Sequence, residues 1–135
     1  IAQQLSTHPK VTRVHHLSLA SHPDFELAKT QMNGCGGIVA FDLREESASA
    51  APSTSAASGA SAARRLVENL RLIRYAPSLG GTETLISYPP LSSQAGQSDE
   101  QLREAGITRG TLRLSIGLEN SDDLWNDLRA ALDAI

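Results

Sequence analysis

The stretch from Arg109 to Ala134 constrains the fold more than any other part of the sequence, because a strand pattern runs directly into a helix pattern. Its first half alternates apolar and polar residues with the period of two that is typical of a strand with one buried face. The apolar positions are Leu112, Leu114 and Ile116, and the polar positions are Thr111, Arg113, Ser115 and Gly117. The pattern predicts a strand that packs its leucines on a core and presents Arg113 on its other face.

The second half of this stretch predicts an amphipathic helix. Ser121 is a suitable N-cap, and Asp122 and Asp123 follow in the first turn, where the positive end of the helix dipole favours acidic side chains. Apolar residues then recur at helical spacing, at Leu124, Leu128, Ala131 and Leu132.

The rest of the chain alternates between helix and strand patterns. Helices are predicted for residues 1–8, 21–34, 61–73 and 98–106, and strands for 11–17, 38–43, 74–78 and 82–88. Ser21 and Ser98 are the expected N-caps of the second and fourth of these helices. With 135 residues, the alternation predicts a single α/β domain, a small sheet with helices packed on it.

Two segments depart from this regular alternation. Residues 1–8 open on helix-favouring residues without a cap, so we interpret them as the end of a longer helix and expect the chain to be a fragment. Residues 45–60, which include the run ESASAAPSTSAASGA, lack large side chains that could offset the entropy of ordering, and we predict a flexible surface insertion there.

Composition argues against several classes of function. The net charge is −3 and the basic residues form no cluster, so no nucleic-acid partner is expected, and no apolar run approaches the roughly 20 residues of a membrane span. Cys35 is the single cysteine, which fits a reducing, cytoplasmic compartment, and we interpret it as a packing residue. His15 and His16 are adjacent in a predicted strand and should point to opposite faces, so no metal site is predicted.

Three runs of the sequence, taken together, resemble a known family. They are SHPDFELAKTQMNGCGGIVAFDL at 21–43, APSLGGTETLISYP at 76–89 and GITRGTLRLSIGLENSDDLWNDLRAAL at 106–132. In this order they resemble the C-terminal domain of the cystathionine and methionine γ-lyase family, pyridoxal-phosphate (PLP) enzymes of fold type I. The resemblance implies that residues 1–135 are a single C-terminal domain, with a mostly antiparallel sheet and helices on one face.

The resemblance also implies three substrate-binding residues. Arg113 matches the arginine that holds the substrate α-carboxylate, a role that suits a guanidinium because it can donate two parallel hydrogen bonds. Ser78 matches a position beside the same carboxylate, and Glu83 matches an acidic residue that faces the distal amino group of cystathionine in several members. Without the resemblance, an arginine on the polar face of a strand would be interpreted as solvated.

The catalytic and cofactor-binding residues are expected outside this segment. In the family, PLP forms a Schiff base with a lysine of a larger N-terminal domain, and neither Lys10 nor Lys29 lies in a matching motif. The resemblance therefore implies that this piece alone is inactive, and that the intact enzyme is a homotetramer acting on a small amino acid.

Several reactions remain open at this stage. We expect a cystathionine γ-lyase or cystathionine γ-synthase, with cystathionine β-lyase, methionine γ-lyase and O-acylhomoserine sulfhydrylase as alternatives. A non-catalytic regulatory or interaction domain is the alternative of another class.

Overall fold

The computed structural model describes residues 1–44, the backbone of 55–61 and all atoms of 62–135. The helices are α1 (Ala2–Thr7), α2 (Phe25–Gln31), α3 (Ser55–Asn69), α4 (Asp99–Glu104) and α5 (Ser121–Asp133). The strands are β1 (Val11–His15), β2 (Ile38–Leu43), β3 (Arg74–Tyr75), β4 (Leu85–Ser87) and β5 (Thr111–Ser115). Within these described ranges, no helix is both long enough and apolar enough to cross a membrane.

The five strands form one sheet in the order β1-β2-β5-β4-β3. The pairs β1–β2, β2–β5 and β4–β5 are antiparallel, and only β3 runs parallel to its neighbour β4. Strand β5, which carries Arg113, therefore lies at the centre with a hydrogen-bonded partner on each side. The predicted fold class, a mostly antiparallel sheet with helices packed on one face, is confirmed.

One face of the sheet is apolar and forms the core. Phe41 on β2 lies opposite Val14 on β1 and Leu112 on β5, and Leu114 lies between Val39 and Ile86 in the next row. Residues of α1, α3 and α5 complete the same buried cluster. The helix residues in it are Ala2, Leu5, Ala62, Ala63, Leu66, Leu124, Leu128, Ala131 and Leu132. Both leucines of the predicted strand and the predicted apolar stripe of α5 are thus buried.

The other face of the sheet carries polar residues at the same central positions. Asp42 pairs with Thr111 in one row, and Arg113 lies between Ala40 and Ser87 in the next. Asp42, Thr111, Ser87 and Ser115 are all buried. This face places Arg113 away from the apolar core, as the alternation predicts.

The starts of two helices differ from the sequence prediction. Helix α5 is capped by Asn120, whose Oδ1 accepts hydrogen bonds from the amides of Asp122 and Asp123 at 2.8 and 3.4 Å, so Ser121 is not the N-cap but the first helical residue. Helix α2 begins at Phe25, because the preceding residues form successive turns, and Ser21 does not cap it. The capping box of α4, in which Ser98 and Gln101 exchange hydrogen bonds, confirms the predicted cap there.

The predicted start of the third helix is wrong. Helix α3 begins at Ser55 and not at Ser61, so residues 55–60 are helical. Alanine has the highest helix propensity of any residue, and this outweighs the lack of large side chains in an alanine-rich segment. The remainder of the predicted insertion, 45–54, lies outside the described residues.

Candidate functional site

Arg113 lies at the middle of β5 on the polar face, and its side chain is half-buried. Its neighbours across the two strand pairs are Ala40 on β2 and Ser87 on β4. Cross-strand neighbours on one face of an antiparallel pair lie about 5 Å apart, so large residues here would crowd the guanidinium. Both neighbours are small, so neither of them crowds the guanidinium.

The guanidinium of Arg113 uses only part of its donor capacity within the described residues. Its Nη2 donates to the backbone carbonyl of Ser78 at 3.3 Å. Its Nε is buried and has no hydrogen-bond partner among the described residues. A buried donor without a partner is costly, and a planar carboxylate is the acceptor that fits the Nε edge of a guanidinium.

Ser78 belongs to the connector between β3 and β4, residues 76–84, which we call the β3–β4 connector. The hydroxyl of Ser115 accepts a hydrogen bond from the amide of Gly80 at 2.9 Å. Gly80 has a φ of +79°, in the left-handed region that favours glycine. Arg113 and Ser115 lie on the same face of β5, so two side chains of one strand hold this end of the connector.

The other end of the β3–β4 connector is held by residues 116–119, which we call the β5 exit segment. The carboxylate of Glu119 accepts from the amide of Thr84 at 2.6 Å and from the Thr84 hydroxyl at 2.7 Å. That hydroxyl accepts in turn from the amide of Gly117 at 2.8 Å. Hydrogen bonds from the side chain and then the backbone of Thr84 hold the pKa of the Glu119 carboxyl below its usual value.

His15 is the last residue of β1 and His16 follows it, and the two side chains contact different groups. His15 Nε2 lies 2.8 Å from Asp42 Oδ2, whereas His16 contacts the Ser18 hydroxyl at 2.7 Å and the carbonyl of Gly36 at 3.2 Å. Among the residues that the structure describes, no group of three or more His, Cys, Asp or Glu side chains is arranged to hold a metal ion.

The sequence matches the family model described as Cys/Met metabolism PLP-dependent enzyme, over residues 1–133. The chain belongs to this family. The predicted resemblance is therefore confirmed, and with it the PLP dependence that defines the family.

Named relatives in the family act on sulfur amino acids. The chain is 38% identical over 135 residues to the L-methionine gamma-lyase of Fusobacterium nucleatum subsp. polymorphum, and 38% identical over 135 residues to the cystathionine beta-lyase MetC of Bacillus subtilis. Each match covers 100% of this chain and 31% of the relative. The chain thus spans less than a third of the length of these relatives.

Solved structures of the family share the fold. A putative O-acetylhomoserine (thiol)-lyase from Campylobacter jejuni, with N'-pyridoxyl-lysine-5'-monophosphate, matches with a TM-score of 0.82 and 34% identity, over 98% of this chain and 28% of that one. A cystathionine gamma lyase from Micromonospora echinospora matches with a TM-score of 0.82 and 32% identity, over 98% of this chain and 31% of that one.

In this member of the Cys/Met metabolism PLP family, the three predicted site residues occupy one region but do not all touch. Arg113 and Ser78 are brought into hydrogen-bond contact, through the carbonyl and not the hydroxyl of Ser78. Glu83 lies further along the β3–β4 connector with an exposed side chain and is not part of that contact. Their binding roles stay predictions.

The residues that hold the connector in place are not identified by any motif in the sequence. Ser115 is one of the polar positions of a predicted strand, and no sequence pattern marks Thr84 or Glu119 as functional. The alternation in β5 is a signal that Ser115 shares the face of Arg113. No local pattern pairs Glu119 with Thr84, because the two residues meet only through the sheet topology.

Proposed function

We propose that this chain is the C-terminal, substrate-carboxylate-binding lobe of a PLP-dependent carbon–sulfur lyase. The observation that carries the proposal is the buried Nε of Arg113, which has no partner among the described residues, on a guanidinium flanked by small neighbours. A substrate α-carboxylate would accept from Nε and from a terminal nitrogen of Arg113 at once, as two parallel charge-assisted hydrogen bonds. The carbonyl of Ser78 accepts a hydrogen bond from Nη2 and so restricts rotation of the guanidinium.

The described residues do not fit the cofactor itself. Lys29 Nζ pairs with Glu26 at 3.2 Å and lies over the Phe25 ring on the surface of α2, and Lys10 lies ahead of β1, so neither is on β5 or on the β3–β4 connector. We propose that PLP is held by an N-terminal domain of the intact polypeptide. The electron-sink chemistry belongs to the cofactor, and the contribution of these residues is to bind and orient the amino acid.

The orientation role follows from the geometry of Arg113. Two parallel hydrogen bonds from Arg113 would fix the orientation of the α-carboxylate and so help to set which bond of the substrate faces the reacting centre, and well-oriented groups react faster than freely moving ones. The guanidinium is anchored on the central strand of the sheet, so the carboxylate would be held by a rigid element.

The finer reaction is also a proposal. Elimination at a carbon–sulfur bond is supported by relatives named methionine gamma-lyase and cystathionine beta-lyase. An exposed acid at Glu83 supports a substrate with a distal amino group, and cystathionine has one, so we retain cystathionine as the preferred substrate. A cytoplasmic homotetramer, built with the N-terminal domain, completes this proposal.

The test is the substitution of Arg113 in the intact protein loaded with PLP. We expect Arg113→Ala to lower kcat/KM for cystathionine by roughly 30- to 900-fold, since truncating one partner of a buried charge-assisted pair costs about 2–4 kcal/mol. Arg113→Lys keeps the charge without the planar fork, so it should fall between Arg113→Ala and the wild type. Arg103→Ala, an exposed arginine on α4, is the matched control and should leave kcat/KM unchanged.

Two results would contradict the proposal. An unchanged kcat/KM in Arg113→Ala would remove the carboxylate role. An intact polypeptide that neither binds PLP, by visible absorbance, nor releases an α-keto acid from cystathionine or methionine would favour the non-catalytic interaction domain.

A further inference from the structure

Glu83 is exposed, yet the backbone on both sides of it is fixed by the β5 exit segment. On one side, the carbonyl of Thr82 accepts from the amide of Leu118 at 2.9 Å. On the other side, Thr84 is fully buried and gives both its amide and its hydroxyl to Glu119. When the backbone of a residue is fixed, its exposed side chain can point in a reproducible direction, because only its own rotamers remain free.

The contact between the two segments is close enough to exclude any side chain at Gly117. A Cβ there would overlap the carbonyl oxygen of Thr82 and would lie 2.6 Å from the carbonyl carbon of Glu83. The amide of Gly117 instead donates to the Thr84 hydroxyl, which donates to Glu119. The result is a chain of hydrogen bonds that starts and ends in the β5 exit segment and passes through Thr84.

We propose that Glu119 is a positioning residue, which aims Glu83 at the distal amino group of the substrate and so helps to set substrate choice. Glu119 would act through Thr84 and would not touch the substrate. The inference rests on the proposed function, because it takes from there the role of Glu83.

The opposite end of the connector supplies an internal comparison. Ser115 holds Gly80, close to Ser78 and the α-carboxylate end of the site. The α-carboxylate is common to every amino-acid substrate, whereas the distal amino group is not. Loss of the Ser115 hydroxyl should therefore lower kcat/KM for all substrates by a similar factor. Loss of the Glu119 carboxylate should lower kcat/KM most for substrates with a distal amino group.

The experiment compares two substrates on the intact protein loaded with PLP. They are L-cystathionine and the analogue in which its distal amino group is replaced by hydrogen, and the measured quantity is the ratio of their kcat/KM values. We expect Glu119→Gln to lower this ratio about fivefold or more, because an amide nitrogen then faces one of the two Thr84 donors. Thr84→Val should lower the ratio in the same way. Thr84→Ser keeps the hydroxyl, so it should give the ratio of the wild type.

Matched variants separate positioning from general damage. Ser115→Ala should lower kcat/KM for both substrates by the same factor and leave the ratio unchanged. Glu104→Gln, an exposed acid on α4, controls for loss of one negative charge. Thermal unfolding of each variant shows whether the fold is intact. The affinities of the two compounds, measured by competition with each other for the site, give a readout besides turnover.

The double variant decides whether Glu119 acts through Glu83. If it does, Glu83→Gln combined with Glu119→Gln should lower the ratio no further than Glu83→Gln alone, because coupled residues are not additive. If Glu83→Gln changes the ratio but Glu119→Gln does not, this inference is overturned and the proposed function stands. If Glu83→Gln itself does not change the ratio, the proposed role of Glu83 is overturned, and this inference with it.

Discussion

The two faces of the sheet are built from the same strands but are stabilised in different ways. Phe41 and Asp42 are neighbours on β2 and both are buried, with exposures of 0% and 6%. Phe41 meets Val14 and Leu112 in a core covered by helices. Asp42 accepts hydrogen bonds from Thr111 and Thr108 and pairs with His15 on the opposite face.

The two faces of the sheet should therefore respond differently to substitution. Burial on the apolar face is non-directional, so residues of similar size and polarity can replace one another at modest cost. The polar face depends on directional hydrogen bonds between particular atoms, and each lost partner leaves a buried group unsatisfied. The candidate binding residue Arg113 lies on the polar face, where hydrogen bonds between particular atoms fix the geometry.

The largest effect is expected on the apolar face. Phe41→Ala should lower the free energy of unfolding by about 3–5 kcal/mol, because it removes a fully buried aromatic ring and leaves a cavity at the centre of the core. Urea denaturation followed by circular dichroism measures this loss. Ile38→Ala, on the same strand with 43% of its surface exposed, is the matched control and should cost far less. Equal losses for the two variants would mean that positions 38 and 41 of β2 do not differ in burial as described.

A smaller effect is expected for the neighbouring polar residue. Asp42→Asn keeps the shape of the side chain but turns one acceptor oxygen into a donor, so it should cost about 1–3 kcal/mol of unfolding free energy. The same urea denaturation checks this value. Asp24→Asn is a suitable control, because Asp24 is exposed and makes no side-chain capping bond at the start of α2. A loss no larger than that of the control would show that the network around Asp42 contributes little to stability.

How much of this could be predicted from sequence depends on whether a pattern repeats locally. The period of two in β5 predicted both the burial of Leu112 and Leu114 and the opposite orientation of Arg113, because strand geometry dictates the alternation. The apolar stripe of α5 was predicted for the same reason. The N-cap of α5 was misplaced by one residue, since Asn120 and Ser121 are both good caps and only the backbone geometry selects between them.

The remaining features are set by tertiary contacts that leave no local pattern. Thr84 was predicted to lie within a strand from 82 to 88, but the regular strand spans only Leu85–Ser87, since Thr84 is bound to Glu119 and Gly117 instead. The contact of Arg113 with Ser78 could be anticipated only through the family resemblance. Residues close in space but distant in sequence are paired by topology, which propensity and periodicity do not encode.

The smallest effect is expected at Glu119, in the β5 exit segment, and it should depend on pH. The pKa of this carboxyl is lower in the folded protein than in the unfolded chain, first because of the Thr84 hydroxyl and then because of the Thr84 amide. The ionised form is therefore stabilised by folding, and the gain is complete only above the unfolded pKa of about 4.3. As the pH falls from about 5 through the folded pKa, both states take up the proton and the gain is lost.

Glu119→Gln should accordingly unfold more easily than the wild type at pH 7, and the difference in unfolding free energy should shrink as the solution is acidified towards pH 3. The difference at pH 7 should be less than about 1 kcal/mol, because Glu119 is half-exposed and solvent weakens its interactions. Urea denaturation at a series of pH values measures it, with Glu104→Gln as the control for the loss of one exposed carboxylate. A gap that stays constant or widens on acidification would mean that the folded protein does not favour the ionised carboxylate of Glu119.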